Sequence, residues 1–336
     1  MDILKQIIGI DVAMNTFNAR FGTIDTGQHI LLSADRSFGN TLAGFKEFLH
    51  WVHSLKVLKK VPLVFVMEAT GIYYQHLAYF LAEHKCSVAV VLPNKIKFYC
   101  RSLSSKSKTD PLDSAAITRF GLERELTLWA PPTEVLKALL SLTREYHAVK
   151  RTITEIKNQC HALTSSFQPL RTSLERKEKL IAILEEQARQ IEQELHGLVE
   201  SDPLLSARVP NICTTNGLGF MTVVSVLAET QCFKQITKQK QLASYAGYDI
   251  VFNDSGMKKG KSSISKKGNI HLRTAVFMPA LSACRCNPVM KEFYQRLIAK
   301  GKNKMTALIA VARKLLLLIY ALWKSNSTFD PNYRTA

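Results

Sequence analysis

The sequence lacks the signatures of several large protein classes. It contains no Cys-x-x-Cys pair and no cysteine/histidine spacing suited to zinc. Its seven cysteines are odd in number and scattered, with Cys284 and Cys286 the only close pair. They read as small interior residues in a reducing, cytoplasmic setting. The opening MDILKQIIGID has no basic segment leading into an apolar stretch, so no secretory signal is expected. The longest apolar run, residues 315–323, is too short to span a bilayer. No P-loop pattern occurs. Acidic charge is scarce: 27 Asp+Glu face 45 Lys+Arg, a net charge of +18. Such a surplus says little about fold, but it draws polyanions to the surface, and nucleic acid is the commonest of these. A basic amphipathic anchor helix, which would point instead to an anionic membrane, is not visible.

The 336 residues, 46% of them hydrophobic, suffice for two or three domains with real cores. Over residues 1–130, strand and helix patterns alternate. IIGIDVA (7–13) is apolar and β-branched, and extended patterns continue through 17–21 and HILLSA. TLAGFKEFLHWVHSL (41–55) has helical spacing with Thr41 as its cap. VPLVFVME (61–68) and SVAVVLP (87–93) read as buried strands on either side of the helical IYYQHLAYFLAEHK. This order predicts an α/β domain with a mixed sheet. Residues 131–201 carry a different period: Leu142, Tyr146, Val149, Ile153, Ile156, Cys160 and Leu163, then, after SSFQPL, Ile181, Leu184, Ala188, Ile191, Leu195 and Leu198. Steps of four and three over about three heptads predict two coiled-coil-like helices, either an intramolecular hairpin or a dimerisation arm. Residues 202–330 form a third, mainly α-helical unit. It opens on the turn NGLG (216–219), where Gly217 and Gly219 expose helix-start amides suited to phosphate. On spacing alone an ordinary interhelical turn is the better account.

The acids that do occur are oddly placed. Asp11 lies within an apolar strand, where a buried carboxylate is costly without a cation or donors. Glu68 ends a second apolar strand. Asp110 and Asp113, in KTDPLDSAA, stand three apart at a predicted helix start and share one face. Singly each has a plain account: the helix dipole favours Asp110 and Asp113, and a lysine partner would explain Glu68. Together, four carboxylates from two strand ends and one helix suit hard divalent cations such as Mg²⁺. Two such ions about 3.5–4 Å apart clamp the attacking and leaving oxygens of a phosphodiester. Lys95, Lys97, Arg101, Lys106 and Lys108, interleaved with Phe98, Tyr99 and serines, precede Asp110 as a strip able to track a nucleic-acid backbone. A charge run is more often just a solvated face. An actin-like sugar kinase or ATPase also opens with an aspartate on its first strand, but it needs a glycine-rich turn next, and VAMNTF follows here.

One polar, basic stretch, NDSGMKKGKSS (253–263), interrupts apolar surroundings. Judged alone, its Asp-Ser-Gly is a well-suited turn. GID-VA at Asp11, MEATGIYY around Glu68, KTDPLDSAA, LASYAGY, the Ser255-Gly256 pair and SKKGNIHLRTAVFMPAL occur together in an order that resembles the DEDD transposases of insertion-sequence family 110, relatives of the Piv-type DNA invertases. The resemblance covers nearly the whole chain, and the ordered set is highly specific. It implies an RNase H/RuvC-like first domain whose Asp11, Glu68, Asp110 and Asp113 bind Mg²⁺, a coiled coil, and a C-terminal transposase domain with Ser255 as the nucleophile. It further implies a covalent phosphoserine link to double-stranded DNA at element ends and target. Dimers assembling to a tetramer would combine the acids of one protomer with the serine of another, and a structured bridge RNA would serve as guide. On that reading Lys258, Lys259, Lys261, Lys266 and Lys267 hold flanking phosphates, and Arg273 adds a bidentate contact. The sequence departs from the family at NGLG, where Asn216 replaces a proline, and in the spacing after Ser255-Gly256, which shifts the register of Ser262 and Ser263. A Piv-type invertase and a RuvC-like junction nuclease with a structural Ser255 are the alternatives. A DNA-binding protein with a decayed site would not be expected to keep all four acids and Ser255.

Overall fold

A computed structural model describes residues 2–55, 57–69, 71–102, 110–251 and 263–332, without the side chains of residues 110–112. The chain forms two compact units, Met1–Pro131 and Pro132–Ala336.

The first unit is the mixed α/β structure that the alternating patterns predict. Its elements run β1 (Ile3–Val12), β2 (Thr16–Asp25), β3 (Ile30–Leu32), β4 (Arg36–Gly39), α1 (Leu42–Ser54), β5 (Leu63–Glu68), α2 (Tyr74–Glu83), β6 (Ser87–Val91), α3 (Pro93–Ser102) and α4 (Asp110–Glu123). The strand order is β3-β2-β1-β5-β6, with β4 also pairing β2. β2 pairs antiparallel with both β1 and β3, whereas β1, β5 and β6 run parallel. Both faces of the sheet are covered, which is why β1, β5 and β6 read as nearly continuous apolar runs. Alternation splits the side chains: Ile8, Ile10 and Val12 pack with Phe45, Phe48 and Trp51 of α1 and Leu77 of α2. Ile7 and Val66 face the other way, toward Ile117 and Phe120 of α4. α4 lies very close to the sheet because two glycines permit it. A Cβ at Gly9 would collide with the backbone of Thr118, and one at Gly121 would come within 2.8 Å of Ile7 Cγ2.

The second unit comprises α5 (Glu134–Thr164), α6 (Arg171–Ser201), α7 (Pro203–Cys213), α8 (Phe220–Thr230), α9 (Gln239–Tyr245), β7 (Ile250–Val251), β8 (Ser263–Ile264), α10 (Ile270–Cys286), α11 (Pro288–Ala299) and α12 (Lys304–Ser325). α5 and α6, 31 residues each, pair through the heptad positions. Ile153, Ile156, Ala188, Ile191 and Leu195 are buried along their length. The sequence periods suggest a boundary near residue 201, but the described core runs across it. Leu139, Ile191, Leu195 and Val199 of the helix pair belong to the same apolar cluster as Leu205, Val223, Val276 and Leu315. The heptad seam ends by merging into a globular core, so the hairpin root and the C-terminal helices fold as one body. α12 has 22 residues and is long and apolar enough to cross a membrane by length and composition alone. Its apolarity has a nearer cause, since Val311, Leu315, Leu316 and Ile319 are fully buried in this core.

The close approach at Gly9 makes a quantitative expectation. Gly9→Ala must push α4 away from β1, and overpacking of this kind costs about 1–3 kcal/mol. Urea unfolding of the variant would show the midpoint fall, and an unchanged midpoint would contradict the packing described.

Candidate active site

Asp11 and Glu68 occupy corresponding positions on neighbouring parallel strands. The last paired residues of β1 and β5 are Ile10 and Met67, and the two acids follow one step further on. Neighbouring strands lie about 4.8 Å apart, so both acids leave the sheet at one place. Alternation puts Asp11 on the face of Ile7 and Gly9, and Glu68 on the face of Val64 and Val66. This is the face that α4 covers. β1 is also where the strand order reverses, from β1-β2 on one side to β1-β5 on the other. The carboxyl ends of parallel strands at such a switch point are where open α/β sheets bind ligands.

α4 brings the third acid. Thr118 sits over Gly9, so the helix start, one turn and more earlier, lies toward the carboxyl ends of β1 and β5. Asp113 is in that first turn and is half-buried. Asp110 is the first residue of α4, and its side chain lies outside the described residues. Among the described residues, no group of three or more His, Cys, Asp or Glu side chains converges closely enough to hold a metal ion. Mg²⁺, however, is usually bound through one or two carboxylates with water and substrate phosphates completing its shell. The carboxylate pair Asp11 and Glu68 fits that demand in donor chemistry and placement.

Two anchoring groups around this corner were not read from the sequence. Ser114, fully buried on α4, donates its hydroxyl to Asp35 Oδ1 at 2.5 Å, and Arg20 Nε lies 3.8 Å from the same oxygen. Thr118 Oγ1 reaches Ser114 O at 2.7 Å and Arg20 O at 3.2 Å, tying α4 to β2. Asn40 Nδ2 donates to Ala13 O at 3.0 Å and to Tyr73 O at 3.2 Å. It thereby joins the loops that follow Asp11 and Glu68. Its Oδ1 is buried and has no hydrogen-bond partner among the described residues.

The expected phosphate-binding residues are distributed as follows. Lys95, Lys97 and Arg101 lie on α3, whereas Lys106 and Lys108 fall outside the described residues. Gly217 has φ +96, and a Cβ there would stand 2.7 Å from Ala283 Cβ, so this glycine is required by the turn and by packing on α10. Gly219 caps α8 with open space around it. Strands β7 and β8 pair and bracket residues 252–262. Ser255, Lys258, Lys259, Lys261 and Ser262 are among these and lie outside the described residues. Lys266 and Lys267 follow β8 and are exposed. Arg273 Nη1 donates to Ala246 O at 2.7 Å, so this guanidinium is partly committed to backbone rather than wholly available for phosphate.

Near that hairpin base is a buried acid that looked like an ordinary helix-end residue. The Glu229 side chain is 3% exposed. Arg144 Nε and Nη2 grip its two oxygens at 2.8 and 3.1 Å, and Asn269 Nδ2 donates to Oε2 at 2.7 Å. Burial pushes the carboxyl pKa up, but the hydrogen bonds from Arg144 and Asn269 and the Arg144 charge outweigh it, so the net shift is downward. Asn269 also caps α10 through Oδ1 to His271 N at 2.8 Å. One carboxylate therefore links α5, α8 and the start of α10. Ser225 beside it is not an activated nucleophile. Its hydroxyl donates to Met221 O at 2.6 Å, leaving it to accept from His147 Nε2 at 3.0 Å.

Comparison with known proteins gives this geometry its setting. Residues 8–169, which span the acids, match the transposase model of the DEDD type found in IS110. Residues 209–295, which span the β7–β8 segment, match the model for transposases of the IS116/IS110/IS902 family. The chain is thus a DNA transposase or recombinase, an enzyme acting on DNA. Pilin gene-inverting proteins of Moraxella lacunata and Moraxella bovis are 32% and 31% identical to it over 330 residues, 97% of this chain and 98% of each relative. A 43.6 kDa protein of insertion element IS110 from Streptomyces coelicolor is 25% identical over 150 residues, 45% of this chain and 36% of that one. The chain belongs to the IS110 transposase family.

The Glu229 node fixes two expectations. Arg144→Met should cost about 2–3 kcal/mol, below the ~3–5 kcal/mol for breaking a fully buried pair, because Arg144 is half-exposed. Because the folded-state pKa of Glu229 is depressed, its contribution is present above the ordinary glutamate value and is lost as pH falls through the folded value. Stability of wild type and Glu229→Gln, followed by urea titration across pH, should therefore converge on the acid side. A gap that stays constant down to the acid transition would contradict the ion pair's role.

Proposed function

We propose that this transposase cuts and rejoins DNA with two sets of its own residues: the carboxylates Asp11, Glu68, Asp110 and Asp113, and the hydroxyl of Ser255. The observation that carries the reading is the emergence of Asp11 and Glu68 side by side at a sheet switch point, under the helix bearing Asp113. This arrangement also supports an RNase H/RuvC-like classification of the first unit. Ser255 enters from the family resemblance, within the segment that β7 and β8 bracket.

The four acids would hold Mg²⁺ by oxygen donors. When bound, that ion supplies polarisation of the phosphate and charge neutralisation in an in-line displacement. The Ser255 Oγ would attack phosphorus and lose its proton. The bond from phosphorus to the leaving sugar oxygen breaks, and that oxygen gains a proton. The phosphoserine link conserves the bond energy. A second sugar hydroxyl attacking it would rejoin the strand and free the serine. Exposed Lys266 and Lys267, with Lys258, Lys259 and Lys261, would hold flanking phosphates, and Lys95, Lys97 and Arg101 would track the backbone nearer the acids.

Dimers assembling to a tetramer, with acids and serine from different protomers, belong to the same proposal, as does a guiding bridge RNA. Exposed Phe167, Leu170, Leu180 and Ile183 on and beside the tip of the α5–α6 hairpin support the oligomer. A second reading, site-specific inversion, is favoured by end-to-end similarity to two pilin gene-inverting proteins. It would employ the same chemistry on a different pair of DNA sites.

Trapping with DNA tests the assignment. Ser255→Ala should abolish the covalent protein–DNA adduct. Asp11→Asn should lower its rate about 10³-fold or more, the equivalent of several kcal/mol of lost transition-state stabilisation. An adduct that survives Ser255→Ala but vanishes in Ser262→Ala would move the nucleophile. Mg²⁺-dependent cleavage with no adduct in wild type would favour a water-using junction nuclease.

A further inference from the structure

Helices α10, α11 and α12 surround an open cavity of about 430 Å³ that none of the chemistry above uses. The volume falls within the range of about 300–1,000 Å³ typical of small-ligand sites. Arg285 projects from α10, Lys291 from α11 and Lys304 from the start of α12, while Tyr294, Met305 and Leu281 supply aromatic and apolar surface. Lys291 and Tyr294 share one helix face by their spacing of three. Among the described residues, no acid lines the cavity and none of the three cations is ion-paired. Met305 is 58% exposed and Leu281 37%, so apolar surface stands open to solvent in the middle of a cationic rim.

The surrounding chain magnifies the charge. Residues 231–324 hold 18 Lys+Arg against 3 Asp+Glu. Like charges converging on a cavity repel one another, and a polyanion relieves that cost. Charge alone would suit any phosphate backbone. The exposed apolar surface beside the half-buried Tyr294 narrows the choice, because a duplex hides its base faces by stacking. Only an unpaired base can use Tyr294 as a platform, with its neighbouring phosphates on the rim.

We propose that this cavity receives an unpaired nucleotide of the DNA substrate, its base against Tyr294 and Met305 and its flanking phosphates on Arg285, Lys291 and Lys304. The inference rests on the chain's action on DNA and needs neither the carboxylate site nor Ser255. Strand exchange exposes unpaired nucleotides, and the cavity would hold one out of the duplex.

Fluorescence anisotropy on the full-length protein tests this with a labelled single-stranded DNA, its duplex, and an RNA of the same sequence. Tyr294→Leu should weaken single-stranded DNA binding about tenfold, leaving duplex affinity unchanged. Tyr294→Phe, which keeps the ring, should bind like wild type. Combined Arg285→Ala, Lys291→Ala and Lys304→Ala should reduce the slope of log affinity against log salt by about 2 for single-stranded DNA. Melting curves establish that each variant is folded. Equal loss on duplex and single strand, loss confined to RNA, or no loss in Tyr294→Leu would each overturn the proposal.

Discussion

The contact on which the first unit depends is that of α4 with β1. Gly9 has no side chain, so Thr118 can rest against the strand backbone, and Gly121 lets the helix settle between Ile7 and Val66. Close approach of this kind buries backbone and hydroxyl groups, which must then find partners. Thr118 and Ser114 meet that demand through Arg20 O, Ser114 O and Asp35. The helix is therefore fixed in rotation as well as distance. Its first turn, with Asp113, is thereby carried to the strand ends that bear Asp11 and Glu68. The joint action proposed for these acids needs such a fixed helix, since an ångström of looseness at a multi-element site is costly to catalysis.

The second unit solves a different problem with the same economy of partners. Its charge is heavily positive, and a compact body of like charges repels itself. The cations stay at the surface, while a large apolar cluster from α5 to α12 holds the unit together. The buried Glu229 is the exception inside. It is gripped by Arg144 and Asn269, so the long hairpin helix α5 is joined to the cap of α10, close to where β8 leads into that helix. A carboxylate so fully engaged confers position on several elements at once, and removing one partner would leave the others unsatisfied.

Much of this was legible in sequence, for identifiable reasons. Asp11 stood out because an acid inside an apolar strand demands an explanation, and in the structure it stands one step past the last β1–β5 pair, at a sheet switch point. The heptad positions on α5 and α6 appear because their period is local. Glu229 was not legible. At the end of the apolar stretch FMTVVSVLAET it resembles any solvated helix terminus, and its partners Arg144 and Asn269 are 85 and 40 residues away in the chain. Asp35 and Asn40 sit in short loops and strand ends, where polar residues are commonplace, and only the tertiary fold gives them partners. The boundary suggested at residue 201 failed to show as a break because a heptad pattern describes one seam of a helix. It does not reveal that Leu139, Leu195 and Val199 also face a larger core. Gly217 was weighed for phosphate contact, while its positive φ and its seat against Ala283 give it a structural reason to be glycine.

The charge is distributed unevenly along the chain. Residues 1–131 hold 15 Lys+Arg and 11 Asp+Glu, and residues 132–230 hold 11 and 12, so both stretches are close to balance. Nearly all of the net +18 belongs to residues 231–324. On the proposed function, carboxylates that bind a divalent cation must remain ionised, and a dense field of lysines around them would compete for the same oxygens. Placing the acids in a balanced unit avoids that competition. The cationic excess of residues 231–324 concentrates affinity for phosphate in the second unit, which the proposed readings assign to gripping strands. The α5–α6 hairpin is charged but interlaced, as in the pair Lys157 and Glu185 at 2.7 Å, so bulk attraction to a polyanion is weak there. About 45 Å of helix that is nearly neutral overall is poorly suited to bind DNA by charge, and its apolar tip is the part the proposed oligomer would use.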